Sequence, residues 1–267
     1  MSALLPPLRF TTAGGWATPY RLMGEGRPIV LVHSLGGSLL NWDPIQPELA
    51  AQAEVLVYDW GGHGNSEKSS EPFGIPELAQ QLGDLIETVL PAPALVLGVA
   101  AGGAIALQCA LDRPGTVDGL VLASPTTGIP PATGQSMRAR VEAILEDGMR
   151  VAVDASIAAG FPEAFRAANP GVIERYRHEF LTVSPAAYAA SSTAFSRFEA
   201  TDRLAELTVG ALLLPGELDP YFPPPIAAAI LAARPDWRLE VMEGVGHFGH
   251  IQSPALIRDR LLAEIAG

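Results

Sequence analysis

Residues 94–111 read ALVLGVAAGGAIALQCAL, and the fold turns on how they are read. Ala94 to Leu97 is a short apolar run with Pro91 and Pro93 before it and Gly98 after it, the mark of a strand buried on both faces. Gly98 to Gly103 makes a very tight turn. Ala104 to Leu111 then begins a helix almost without polar residues, so it too is buried. Gly98 and Gly102 keep Cβ atoms clear of the neighbouring strand and helix in so sharp a turn.

The same alternation runs outward on both sides. Residues 8–12 and 17–22 read as a hairpin joined by Ala13, Gly14 and Gly15. Pro28–Val32, Glu54–Tyr58 and Val117–Ala123 are further buried strands, and 76–90 carries the helical period. Asn41 or Asp43 is placed to cap a helix running to about Ala51. From 126 to 207 no central strand is expected. Helices over 137–147, 149–160, 172–181 and 185–198 predict a helical lid there. Strands resume at 210–214 and 237–242, with helices at 223–233 and 254–265. This predicts an α/β fold, a mostly parallel central sheet with helices on both faces. Residues 1–125 and 208–267 form its core and 126–207 the lid.

Composition narrows the function. The chain has 267 residues, enough for one large domain or a domain with a lid. Its formal charge of −12 disfavours nucleic acid and anionic membranes as partners and leaves a small molecule as the expected substrate. The lone Cys109 excludes an internal disulfide and reads as a buried, inert thiol. The N-terminus lacks a basic segment followed by a long apolar run, so no secretory signal is expected and the cytoplasm is the expected compartment. No metal-ligand spacing, P-loop or dinucleotide fingerprint is present, and no cofactor or metal is expected.

Four motifs in chain order carry a resemblance. They are His33 to Ser38 with Trp42 and Asp43 behind it, Asp59 to Ser66, the turn at 98–103, and the pair Asp219 and His247. Over nearly its whole length the chain resembles the α/β-hydrolase fold, and within it the 3-oxoadipate enol-lactonase-like branch. With serine at position 100 the turn would be that family's nucleophile elbow, G-x-S-x-G-G. The chain carries Ala100 instead. The resemblance implies His247 as general base and Asp219 as the acid that holds its tautomer, with Glu217 a weaker rival. It implies an oxyanion hole from the main-chain N–H groups of Leu35 and Ala101, which a side-chain change at 100 leaves in place. Some members carry the acid after the preceding strand, but Ser124 and Pro125 stand there. Asp59, His63 and Ser66 lie on a loop read as structural, where Gly61 replaces the usual arginine. His33 is expected to brace the oxyanion loop. Ser34, Trp60, Phe222 and His250 are candidate substrate contacts, and Phe161, Phe165, Tyr188 and Phe195 candidate pocket aromatics.

Alanine has no attacking oxygen, and three readings of it stand. In the first, Ala100 replaces the serine of a hydrolase acting on an ester, enol-lactone or activated carbonyl compound, which silences it or lets it hold a ligand. In the second, alanine is native and the Asp219–His247 dyad acts as a base in cofactor-free oxygenation, C–C cleavage, cyclisation or elimination. In the third, the fold binds a ligand without altering it.

Overall fold

A computed structural model describes residues 5–68 and 72–266. Residues 1–4, on which the expectation of no leader partly rests, lie outside it, as do Ser69, Ser70, Glu71 and Gly267. The apolar runs become eight strands: β1 (Arg9–Ala13), β2 (Trp16–Met23), β3 (Pro28–Val32), β4 (Glu54–Tyr58), β5 (Ala94–Val99), β6 (Val117–Ala123), β7 (Ala211–Leu214) and β8 (Arg238–Leu239). They form one sheet in the order β1-β2-β4-β3-β5-β6-β7-β8. β2 pairs antiparallel with both β1 and β4, and every other pairing is parallel. β3 and β5 are buried at every residue, as apolar strands covered on both faces must be.

The helices are α1 (Gln46–Leu49), α2 (Ile75–Val89), α3 (Ala101–Asp112), α4 (Pro131–Asp147), α5 (Arg150–Gly160), α6 (Glu163–Ala168), α7 (Pro170–Thr182), α8 (Pro185–Phe195), α9 (Pro224–Ala233), α10 (Gly249–Gln252) and α11 (Pro254–Ala266). α3 follows β5 directly and packs on α2, with Ala101 to Leu111 all buried. Each such Leu or Ile contributes about 2–5 kcal/mol against truncation to alanine. Among the described residues no helix is long and apolar enough to cross a membrane.

α4 to α8 enter between β6 and β7 and build a second apolar cluster around Ile144, Ile157, Phe161, Tyr176 and Phe180. Leu35 packs against both this cluster and the sheet's core, so the loop after β3 lies on the seam between them.

Three expectations about elements need correction. Neither Asn41 nor Asp43 starts a helix. Ser38 caps a turn of 3-10 helix at Leu39–Trp42, and α1 is only four residues long because Pro44 and Pro47 interrupt the run. Asn41 closes the capping box on Ser38, and Asp43 pairs with Arg21. α4 begins at Pro131 rather than Met137, and α6 was not anticipated. Proline favours the first helical position, so Pro131, Pro170, Pro185 and Pro254 mark helix starts where they read as breakers. The last strand, expected over 237–242, holds regular pairing only at Arg238–Leu239. Pro215 on the neighbouring chain has no N–H for the ladder. Beyond it the two chains stay joined through Met242 N–H to the Pro215 carbonyl at 2.9 Å.

Candidate active site

β5 ends at Val99, and Ala100 takes φ 50° and ψ −109° before α3 begins. Left-handed φ costs a residue with a Cβ about 1 kcal/mol or more, so the surroundings must impose it. Ala100 N–H donates to the Ala123 carbonyl at 3.0 Å, and the Ala100 carbonyl accepts from Ala104 N–H at 3.0 Å. A Cβ on Gly98 would lie 2.4 Å from the Gly102 oxygen, and one on Gly102 would lie 2.5 Å from the His33 oxygen. Both glycines are therefore required by close backbone approach. The methyl of Ala100 faces a cavity that it lines together with Ser34, Leu35, Phe222 and His247.

Opposite the elbow, the Asp219 Oδ2 lies 2.9 Å from His247 Nδ1. Asp219 Oδ1 accepts the Tyr221 and Phe222 N–H groups at 2.8 and 3.1 Å. Burial pushes this carboxyl up. The positive charge of His247, its hydrogen bond and the two main-chain donors outweigh burial and hold the pKa below the ordinary aspartate value. An ionised carboxylate only accepts, so Nδ1 carries the imidazole proton and Nε2 keeps its lone pair on the cavity side. Glu217 is exposed and accepts the Gly244 N–H at 2.8 Å, so it does not compete for His247.

The loop after β3 turns back on itself through Gly37 N–H to the Ser34 carbonyl at 3.0 Å. His63 Nε2 accepts the Gly36 N–H at 3.0 Å, and His33 Nδ1 donates to the Ser34 carbonyl at 2.9 Å. Burial lowers the His33 pKa to about 3 and puts that of His63 well below its usual value, so both rings are neutral braces. Asp59 accepts the N–H groups of Leu39 and Asn65, and burial raises its pKa to about 6. Among the described residues, the Leu35 and Ala101 N–H groups donate to no protein acceptor. Leu35, Ala100 and His247 all line the one cavity, and Ala101 N–H opens α3 directly behind Ala100.

Two expected substrate contacts lie elsewhere. Trp60 stacks on His33 at 5.0 Å and donates from Nε1 to the His33 carbonyl at 3.0 Å, inside the scaffold of the loop rather than in the cavity wall. His250 sits in α10 against Trp42, with both ring nitrogens buried and unpartnered. Phe161 and Phe165 stack on each other away from the cavity, whereas Tyr188 and Phe195 line it. The glycine at 61 also has a physical reason: a Cβ there would meet the Trp16 indole at 2.7 Å. Trp16 fills the space that a larger residue at 61 would need. Cys109 is buried, and desolvation pushes its thiol up to about 12, so it is inert.

The far wall was not legible in advance. α4 presents Thr133, Ser136, Met137 and Arg140 along one face, and α8 presents Tyr188, Ser192 and Phe195. This spacing of three, four and seven residues marks a helical face, but only once the helix start is known. Arg140 is the one charged side chain in the wall, next to the Tyr188 hydroxyl, and it makes no ion pair among the described residues.

Known proteins match this geometry. The chain is 23% identical to 3-oxoadipate enol-lactonase 2 of Acinetobacter baylyi over 91% of each chain. Its structure superposes on an enol-lactonase from Burkholderia xenovorans with a TM-score of 0.90 at 23% identity, over 97% of this chain and 100% of that one. A thermophilic esterase from Thermogutta terrifontis gives 0.90 at 22% identity, over 97% and 99%. The family model for the alpha/beta hydrolase fold matches residues 27–254, and the chain belongs to that family.

Proposed function

We propose that the cavity is an acyl-transfer site for a small ester, enol-lactone or other activated carbonyl compound. The observation that carries this reading is the Nδ1–Oδ2 contact of 2.9 Å, with its imidazole on the same cavity as Ala100. The substrate carbonyl sits over Ala100 with its oxygen toward the Leu35 and Ala101 N–H groups. Each such donor contributes about 3–4 kcal/mol as negative charge develops there. His247 Nε2 takes a proton from water, and Asp219 stabilises the imidazolium that forms. No acyl-enzyme forms, because Ala100 has no oxygen, so covalent catalysis is lost in this chain. Residues 126–207 act as the lid, and Arg140 on α4 suits a substrate with an anionic end away from the reacting carbonyl.

The test is p-nitrophenyl ester hydrolysis by this chain beside His247→Ala. A rate above background that His247→Ala abolishes supports the reading, and equal rates refute it. A second reading is favoured by the absent nucleophile beside an intact dyad: His247 removes an acidic proton from the substrate itself, and the two N–H groups hold the enolate. Deuterium at that substrate position then slows turnover, whereas hydrolysis through water is indifferent to it.

A further inference from the structure

Among the described residues only two that carry a Cβ have φ in the left-handed region, Ala100 and Ser124, both at 50°. They stand at the C-terminal ends of adjacent parallel strands, β5 and β6. The strain at Ala100 belongs to the elbow. Ser124 lies outside the cavity wall and needs its own explanation. Its side chain is fully buried, its N–H donates to the Leu214 carbonyl at 3.1 Å, and its hydroxyl donates to the His247 carbonyl at 2.8 Å.

The left-handed turn thus lets the end of β6 address the histidine loop. His247 is otherwise fixed at two points: its N–H donates to the Gly160 carbonyl at 2.9 Å, and its ring is held by Asp219. Gly160 lies at the end of α5 in the inserted helices, and Asp219 follows β7. Ser124 supplies the only one of the three contacts that ties His247 to the end of β6, next to the elbow. An alanine there would leave the His247 carbonyl buried without a donor, and the loop would move to find one.

We propose that Ser124 is a positioning residue that sets the distance of the His247 imidazole from position 100. The proposal rests on His247 being the base, and it concerns geometry rather than contact with substrate. A serine that only filled space would affect stability and leave the imidazole where it is.

The experiment compares Ser124→Ala and Ser124→Gly, each in this chain and in an Ala100→Ser background. Glycine relaxes the backbone strain and alanine keeps it, while both remove the hydroxyl, so stability and positioning separate. The glycine variant is expected to melt above the alanine variant. In both, the downfield proton resonance of His247 Nδ1–H is expected to broaden or vanish. In the Ala100→Ser background both lower kcat for p-nitrophenyl acetate about tenfold with KM unchanged, the mark of a misplaced base. Folded variants that keep the resonance and kcat, with only the melting temperature altered, overturn the proposal. If Ala100→Ser alone hydrolyses nothing, the acyl-transfer reading fails, and the Nδ1–H resonance by itself decides the role of Ser124.

Discussion

Restoring one oxygen at position 100 is the perturbation whose size can be worked out most fully. Ala100→Ser changes neither backbone donor, because the Leu35 and Ala101 N–H groups are main chain, and it leaves the 2.9 Å Asp219–His247 bond untouched. The Ala100 methyl already faces the cavity, so the added hydroxyl enters open space rather than packed core. Stability should change by no more than about 0.5 kcal/mol. Loss of the nucleophile in serine hydrolases costs on the order of 10⁶ in turnover, or about 8 kcal/mol of transition-state stabilisation. A site unspoiled except for that atom should recover at least about 10³ of it on an activated ester, the rest depending on fit to the substrate. The assay is p-nitrophenolate release at neutral pH, with a pre-steady-state burst as the sign of an acyl-enzyme. A folded variant with neither a rate increase nor a burst would refute the assignment of His247 and the two N–H donors.

Other outcomes follow from particular contacts. Arg140→Ala in the same background should lower kcat/KM for a p-nitrophenyl monoester of a dicarboxylic acid about 10- to 100-fold and leave the neutral ester within about twofold, since only a charged partner loses its hydrogen bonds. Gly98→Ala puts a Cβ 2.4 Å from the Gly102 oxygen and should cost about 3 kcal/mol, read as a fall in the urea midpoint. Burial holds His33 and His250 neutral, with pKa values near 3, and His63 well below its usual value, whereas Asp59 is raised to about 6. The unfolded chain therefore takes up three more histidine protons as pH falls below about 6.5, and the folded chain one more at Asp59 between about 4 and 6. Near pH 5 these four groups make the folded state lose roughly 3 kcal/mol per pH unit on acidification. His250→Phe should about halve that slope between pH 7 and 5, and an unchanged slope would show that His250 is not buried neutral.

The sheet was legible because its strands are continuous apolar runs that no helix-forming face competes with. Pro28–Val32, Glu54–Tyr58 and Val117–Ala123 begin and end where the residues change character. The elbow and the pair Asp219 and His247 were legible because their chemistry sits at strand ends in the family's order. The cavity's far wall was not, since α4 opens with small and polar residues that carry no apolar period, and this hid Arg140. Trp60 and His250 were misplaced for another reason: a sequence shows that an aromatic follows a strand, but not whether it turns toward the site or beneath it. Trp60 turns beneath, onto His33, and His250 onto Trp42. Ser124 was seen only as a place without an acid. Its left-handed backbone and its bond to His247 depend on residues more than a hundred positions away.

The central claim is that Ala100, His247 and the Leu35 and Ala101 N–H groups surround one reacting carbonyl. The most direct measurement is a crystal structure of the Ala100→Ser variant after reaction with an alkyl fluorophosphonate. The account predicts a covalent adduct on the introduced hydroxyl, with the phosphonyl oxygen about 2.7–3.1 Å from both nitrogens and His247 Nε2 beside the former leaving-group position. An unreacted hydroxyl, or a phosphonyl oxygen directed away from Leu35 and Ala101, would contradict it.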